Sequence, residues 1–156
     1  MIERALEPGD PAPDFTLKDH RENEISLSSF QGKRKVVLSF HPLAWTSVCT
    51  TQMQELEAHR AEIEQAGGVA LGLSVDSVPC KRAWAEAIGV QHTPLLADFW
   101  PHGGVAKAYG IFREKNGFSE RAVFIVDEAG TIRFQNVYPI REVPDIAEIL
   151  TALNGL

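Results

Sequence analysis

Two cysteines, Cys49 and Cys80, are the only thiols in the chain, and a thiol does chemistry when its surroundings hold it as thiolate. Cys49 comes soon after an apolar run, Val36-Val37-Leu38-Ser39-Phe40, which reads as a buried strand between Lys33-Arg34-Lys35 and Pro42. It also opens a helical pattern. A first-turn position places the sulfur beside unpaired backbone N–H groups and the positive end of the helix dipole, both of which favour an anion. The chemistry open to such a sulfur is nucleophilic attack. The plain alternative is a buried, inert structural cysteine.

The neighbours of Cys49 are of useful types. Pro42, Thr46 and Cys49 stand in the spacing P-x-x-x-T-x-x-C. Proline lacks an N–H and fixes φ, so it makes a rigid wall. A threonine hydroxyl donates one hydrogen bond and accepts another, and backbone N–H groups around Val48 and Cys49 add donors. This pattern, placed between a buried strand and a helix, resembles the active-site signature of the peroxiredoxins. The resemblance implies attack of the Cys49 thiolate on hydrogen peroxide or an alkyl hydroperoxide, giving a sulfenic acid and water or an alcohol. It implies no cofactor.

Other residues extend the likeness. Arg121 begins Arg121-Ala122-Val123-Phe124-Ile125-Val126-Asp127, the R-x-x-F-x-x-D setting of the peroxiredoxin active-site arginine. A guanidinium stays charged and presents a fixed fork of donors to sulfur and peroxide. Gln52 matches the Glu/Gln position that orients this arginine in the family; a solvated helix glutamine is the alternative. His41 departs from the Tyr or Phe common before the proline, and reads either as a satisfied rim residue or as a titrating group near substrate.

Cys80 lies 31 positions after Cys49, near another helix start, where it too gains thiolate character. The family resemblance implies a resolving cysteine that closes an intrachain disulfide. Bridging needs Cα atoms within about 7 Å, so both helix starts would unwind locally. A one-cysteine enzyme resolved by an external thiol is the other reading. The stretch from Pro94-Leu95-Leu96-Ala97-Asp98-Phe99-Trp100-Pro101-His102-Gly103 to Ala108-Tyr109-Gly110-Ile111-Phe112 resembles the AhpE type of bacterial peroxiredoxin. That likeness implies a thiol reductant, such as thioredoxin or a glutaredoxin-like protein. It also implies a homodimer, with Trp45, Phe99 and Trp100 as candidate contacts; filling the core is the alternative for each.

The elements that must position these residues follow from periodicity. Met53, Leu56 and Ile63 recur at helical spacing with Cys49 on one stripe, predicting an inward-facing sulfur on one helix from about Val48 to Ala66, closed by Gly67-Gly68. Val69 to Val75 reads as a second buried strand, completing a βαβ unit. Pro79 starts a shorter helix ending near Ala87 at Gly89, and Thr93–Asp98 is a short strand. Val105 to Tyr109 reads as a short helix, Arg121–Asp127 and Thr131–Tyr138 as an antiparallel hairpin, and Pro144 to Leu153 as a terminal helix. Ahead of them, residues 8 to 17 enter a first strand and Ile25-Ser26-Leu27 a return. The order points to a thioredoxin-like α/β fold, and the P-A-P-D-F-x-L start resembles the peroxiredoxin amino-terminal extension.

Composition narrows the classes. The 156 residues suggest one domain spanning 1–156. A net charge of −6 with scattered basic residues argues against nucleic-acid binding. No segment approaches a membrane span, and the amino-terminal stretch lacks a leader pattern, so a cytoplasmic protein is expected. In that compartment two cysteines favour redox work over a permanent staple. CxxC and Cys/His metal spacings are both absent. The competing classes are a redox relay using the same cysteine and a non-enzymatic module on the same fold.

Overall fold

A mixed five-stranded sheet carries the site, in a computed structural model that describes residues 4–156. Residues 1–3, part of the stretch read as lacking a leader, lie outside the described residues. In chain order, β1 (Thr16–Lys18) and β2 (Glu24–Ser26) pair ahead of a 3-10 turn over Leu27–Phe30. Then come β3 (Lys35–Phe40), α1 (Ser47–Ala58), α2 (Arg60–Gln65), β4 (Gly68–Ser74), α3 (Val78–Ile88) and β5 (Leu95–Ala97). The remainder is α4 (Gly104–Ala108), β6 (Phe112–Arg113), β7 (Phe118–Ser119), β8 (Arg121–Val126), β9 (Ile132–Tyr138) and α5 (Ile146–Asn154).

The sheet order is β5-β4-β3-β8-β9, parallel from β5 to β3 and antiparallel from β3 to β9. Alternation along the strands splits the core into two faces. Val36, Leu38, Phe40, Leu71, Leu73, Ala122 and Phe124 meet Phe15, Tyr109 and Ile111 on one side. On the other, Val37, Ala70, Val123 and Ile125 meet Cys49, Met53, Leu56, Trp84, Ile149 and Leu153 from α1, α3 and α5. This is the thioredoxin-like α/β arrangement that the element order implied.

Gly72 sets how deeply α1 sits. A Cβ there would collide with Met53 Sδ and stand 2.9 Å from Leu95 Cδ2. Met53 lies one turn beyond Cys49, so this close approach fixes the height of the sulfur above β4. Full burial of Met53 and Leu56 stabilises the docked helix by about 1.5–3 kcal/mol each.

One expectation needs correction, and one element is new. The single helix from Val48 to Ala66 is two, α1 and α2, broken at His59. The His59 ring lies 2.9 Å from the Glu55 carbonyl oxygen, which also accepts the His59 backbone N–H, and the backbone leaves helical ψ there. The hairpin β6–β7 was not anticipated, because two-residue strands are too short for alternation to register. No helix among the described residues is long and apolar enough to cross a membrane.

Candidate active site

The site forms where β3 ends. Its backbone direction continues through His41, whose N–H donates to Leu73 O at 2.9 Å, and then turns through Pro42 to Thr46 into α1. The Asp76 carboxylate pins the turn, with Oδ2 accepting the Ala44 N–H at 2.8 Å. Trp45 adopts φ 69°, left-handed backbone that a bulky residue holds only when its surroundings enforce it. Thr46 is the N-cap residue, yet its hydroxyl donates to Leu43 O at 2.7 Å instead of capping the helix. The first turn therefore keeps unpaired N–H groups beside Cys49, its third residue.

Arg121 reaches that sulfur from the start of β8. Its Nη1 lies 3.2 Å from Cys49 Sγ and donates to Gln52 Oε1 at 2.8 Å. Its Nε and Nη2 donate to Ile140 O at 3.1 and 2.7 Å, so the guanidinium is held from both sides. Gln52 is no solvated helix residue: it is buried, and its Nε2 donates to Ser39 Oγ at 2.7 Å and Phe40 O at 3.1 Å. Cys49 and Arg121 are 0 % and 3 % exposed, so the charge contact is shielded from bulk water.

Behind this layer lie two buried polar residues, His41, which the sequence reading singled out, and Lys81, which it missed. His41 is fully buried, which overturns the rim reading. Its ring lies 5.2 Å from that of Trp84, and burial first, then the charges of Lys81 and Arg121, holds its pKa well below the ordinary value. Lys81 is fully buried too. Its Nζ donates to Ser74 Oγ at 2.7 Å and lies 3.3 Å from His41 Nε2. Burial lowers its pKa to about 7, against the pull of Asp76, Cys49, Cys80 and Asp98. Lys81 shares the stripe of Trp84, Ala85 and Ile88, and that misplaced lysine was the available signal.

Cys80 stands third in α3, and Ser77 Oγ accepts its backbone N–H. The expected thiolate character is corrected. Burial, and next the Asp76 charge, pushes the Cys80 thiol up, while the Trp45 indole acts the other way. Its Sγ lies 3.7 Å from Asp76 Oδ1. Both cysteines are free thiols. Trp45, Phe99 and Trp100 are 56 %, 52 % and 79 % exposed, so none of them fills the core. No group of three His, Cys, Asp or Glu that could hold a metal occurs among the described residues.

The chain that carries this thiol and arginine is similar to known proteins. Residues 8–135 match the model of the AhpC/TSA family. Alkyl hydroperoxide reductase E of Mycobacterium tuberculosis is 41 % identical over 140 residues, covering 90 % of this chain and 91 % of that protein. Peroxiredoxin 2 of Thermoplasma acidophilum is 35 % identical over 153 residues, covering 95 % of this chain and 75 % of that one. Among solved structures, reduced 2-Cys peroxiredoxin of Plasmodium vivax superposes with a TM-score of 0.87 at 27 % identity, covering 94 % and 80 % of the two chains. AhpC of Enterococcus faecalis gives 0.86 at 27 %, covering 95 % and 90 %. The chain belongs to the AhpC/TSA family, and it is a peroxiredoxin, a thiol-dependent peroxidase whose peroxidatic sulfur is Cys49, set beside Arg121.

Proposed function

We propose that the protein reduces hydrogen peroxide and organic hydroperoxides, and that Cys80 resolves the oxidised Cys49 as an intrachain disulfide. The observation that carries the first part is the 3.2 Å approach of Arg121 Nη1 to Cys49 Sγ, both residues being buried. The Cys49 sulfur attacks the distal peroxide oxygen, the O–O bond breaks, and the leaving oxygen departs with a proton as water or alcohol. Cys49 becomes a sulfenic acid. Arg121 and the first-turn N–H groups stabilise the negative charge as it moves along the O–O bond. Thr46, whose hydroxyl proton is committed to Leu43 O, keeps lone pairs to accept from the peroxide O–H. Pro42, buried in the link from β3 to α1, supplies a rigid wall.

Resolution by Cys80 is supported by its place beside the active-site loop. Asp76 contacts both the Ala44 N–H and the Cys80 thiol, so the second sulfur belongs to the same cluster. A one-cysteine cycle with an external thiol is the second reading, favoured by the raised pKa of Cys80. In either cycle a thiol reductant, such as thioredoxin or a glutaredoxin-like protein, restores the enzyme. The exposed Trp45, Phe99 and Trp100 are assigned to a homodimer contact.

The test is mass analysis after one equivalent of peroxide. A two-hydrogen loss linking the Cys49 and Cys80 peptides, absent in Cys80→Ser, is expected. A Cys49–Cys80 link that never forms leaves the one-cysteine cycle. Retained peroxide consumption by Cys49→Ser removes the peroxidatic assignment itself.

A further inference from the structure

A hydrogen-bonded chain runs from the half-buried Cys80 through the half-buried Asp76 to the buried Ser74 and Lys81. The Cys80 thiol meets Asp76 Oδ1 at 3.7 Å; Asp76 Oδ2 accepts Ser74 Oγ–H at 2.6 Å; Ser74 Oγ accepts from Lys81 Nζ at 2.7 Å. A fully buried ammonium whose direct partners are a hydroxyl and a neutral imidazole is costly unless an anion stands close. Asp76 is that anion, one hydroxyl away. With Ser74 and the Ala44 N–H both on Oδ2, Oδ1 is left to the thiol.

The geometry points to Asp76 as the base that takes the Cys80 proton when the disulfide forms, with Ser74 and Lys81 as residues that position it. This rests on the proposed resolving role of Cys80. The need for a base follows from the thiol itself: only the thiolate is a nucleophile, and burial and the Asp76 charge keep Cys80 protonated. Asp76 thus acts in two opposed ways. Its charge suppresses free thiolate, and its oxygen accepts the proton as the S–S bond forms.

The step balances without a further reagent. The Cys80 S–H bond and the Cys49 S–OH bond break, and the S–S bond forms. The proton passes to Asp76 and then to the departing hydroxide as water. Cys80 is oxidised, and the sulfenic sulfur of Cys49 is reduced. Because Cys49 is wholly buried, the first turn of α1 must open to deliver it. Ser74 ends β4, Asp76 lies in the link after it, and Cys80 and Lys81 stand in the first turn of α3, so the arrangement survives an opening confined to α1, without the unwinding of α3 expected from the sequence. The other groups facing Lys81 are His41 after β3, Cys49 on α1, Asp98 after β5 and His20 between β1 and β2.

The experiment follows sulfenate and disulfide formation in the same quenched samples, by mass, between about pH 6 and 8. The readout is the ratio of the second rate to the first, in wild type, Asp76→Asn, Asp76→Glu and Ser74→Ala. The wild-type disulfide rate is expected to be nearly flat with pH. In Asp76→Asn the ratio falls on the order of 100-fold near neutrality, and the disulfide rate climbs about tenfold per pH unit as free thiolate takes over. Asp76→Glu recovers part of the loss; Ser74→Ala loses severalfold with the flat profile kept. An unchanged or higher ratio in Asp76→Asn overturns the base and leaves Asp76 a suppressing charge. Should Asp76→Asn not fold, a wild-type rate climbing tenfold per pH unit overturns it equally. A wild type that forms no disulfide overturns the resolving role of Cys80, and this inference with it.

Discussion

Arg121 Nη1 and Cys49 Sγ lie 3.2 Å apart although 72 residues separate them in the chain. The contact exists because β8 pairs with β3, setting Ala122 opposite Phe40, so that the first residue of β8 lies beside the loop that leads into α1. The same guanidinium nitrogen also donates to Gln52, three residues further along that helix. The sheet register and the helix start therefore meet at one nitrogen.

Replacing Arg121 with methionine keeps much of the side-chain volume and removes the charge and both Nη1 contacts. Sulfenate formation is expected to fall by about 10²–10³, the scale for losing a donor aimed at developing charge. Stopped-flow fluorescence on mixing with peroxide measures it. A loss below about threefold would mean that the arginine is structural and the helix start alone activates the sulfur.

Gln52→Leu tests the support of that arginine. The change leaves Arg121 Nη1 one partner short and strips Ser39 Oγ and Phe40 O of a donor in a buried place. A stability loss of about 1–3 kcal/mol is expected, read from denaturant midpoints. Sulfenate formation should fall less than in Arg121→Met, and the double variant should fall short of the sum of the two losses. Strict additivity would show that Gln52 does not act through Arg121.

Much of this site was legible because its reactive residues are contiguous. Pro42, Thr46 and Cys49 occupy a strand–loop–helix stretch whose periodicity changes within a few residues, and such a change is visible in one sequence. Arg121 was legible only through its motif, since a lone arginine before an apolar run reads as a surface charge. The Ile140 carbonyl that fixes it has no sequence signature at all. Ser74 and Asp76 looked like a strand end, and Lys81 drew no reading. Each became a site residue only when β4, α3 and the active-site loop converged. The break at His59 was illegible for a similar reason: the apolar stripe through Met53, Leu56 and Ile63 runs on across it.

Lys81 should give the fold a distinct dependence on pH. Burial lowers its pKa from 10.5 to about 7 in the folded protein, so between those values the unfolded chain binds the extra proton. Stability then rises with pH across about 7 to 10.5, by at most about 1.4 kcal/mol per pH unit from this one group. Below pH 7 both states are protonated and the burial cost is felt in full. Lys81→Met should therefore be more stable than wild type at neutral pH, with the gap closing as pH rises. Urea titrations at several pH values check this. A gap that widens with pH would show that the amine is held charged by its neighbours.

Glu57 is shifted in the same direction, so it too makes stability rise with pH, but in the acid range and in a different part of the fold. Burial works to raise its pKa, but bonds from the backbone of Gln91 and Thr93, the Thr93 hydroxyl and His92 overcome it and hold the carboxyl at about 2. These bonds tie the end of α1 to the turn that feeds β5. A depressed folded pKa contributes stability that is present above about 4.5 and is lost as pH falls toward 2. Glu57→Gln cannot accept at both oxygens and should lose on the order of 1 kcal/mol at neutral pH, the turn being partly able to rehydrate. Wild type and variant should converge in stability near pH 2, since protonation of the Glu57 carboxyl then removes from wild type the bonds that the variant already lacks. Thermal melts across that range decide it: a difference that persists undiminished in acid would mean that the turn is held by packing, with the carboxylate incidental.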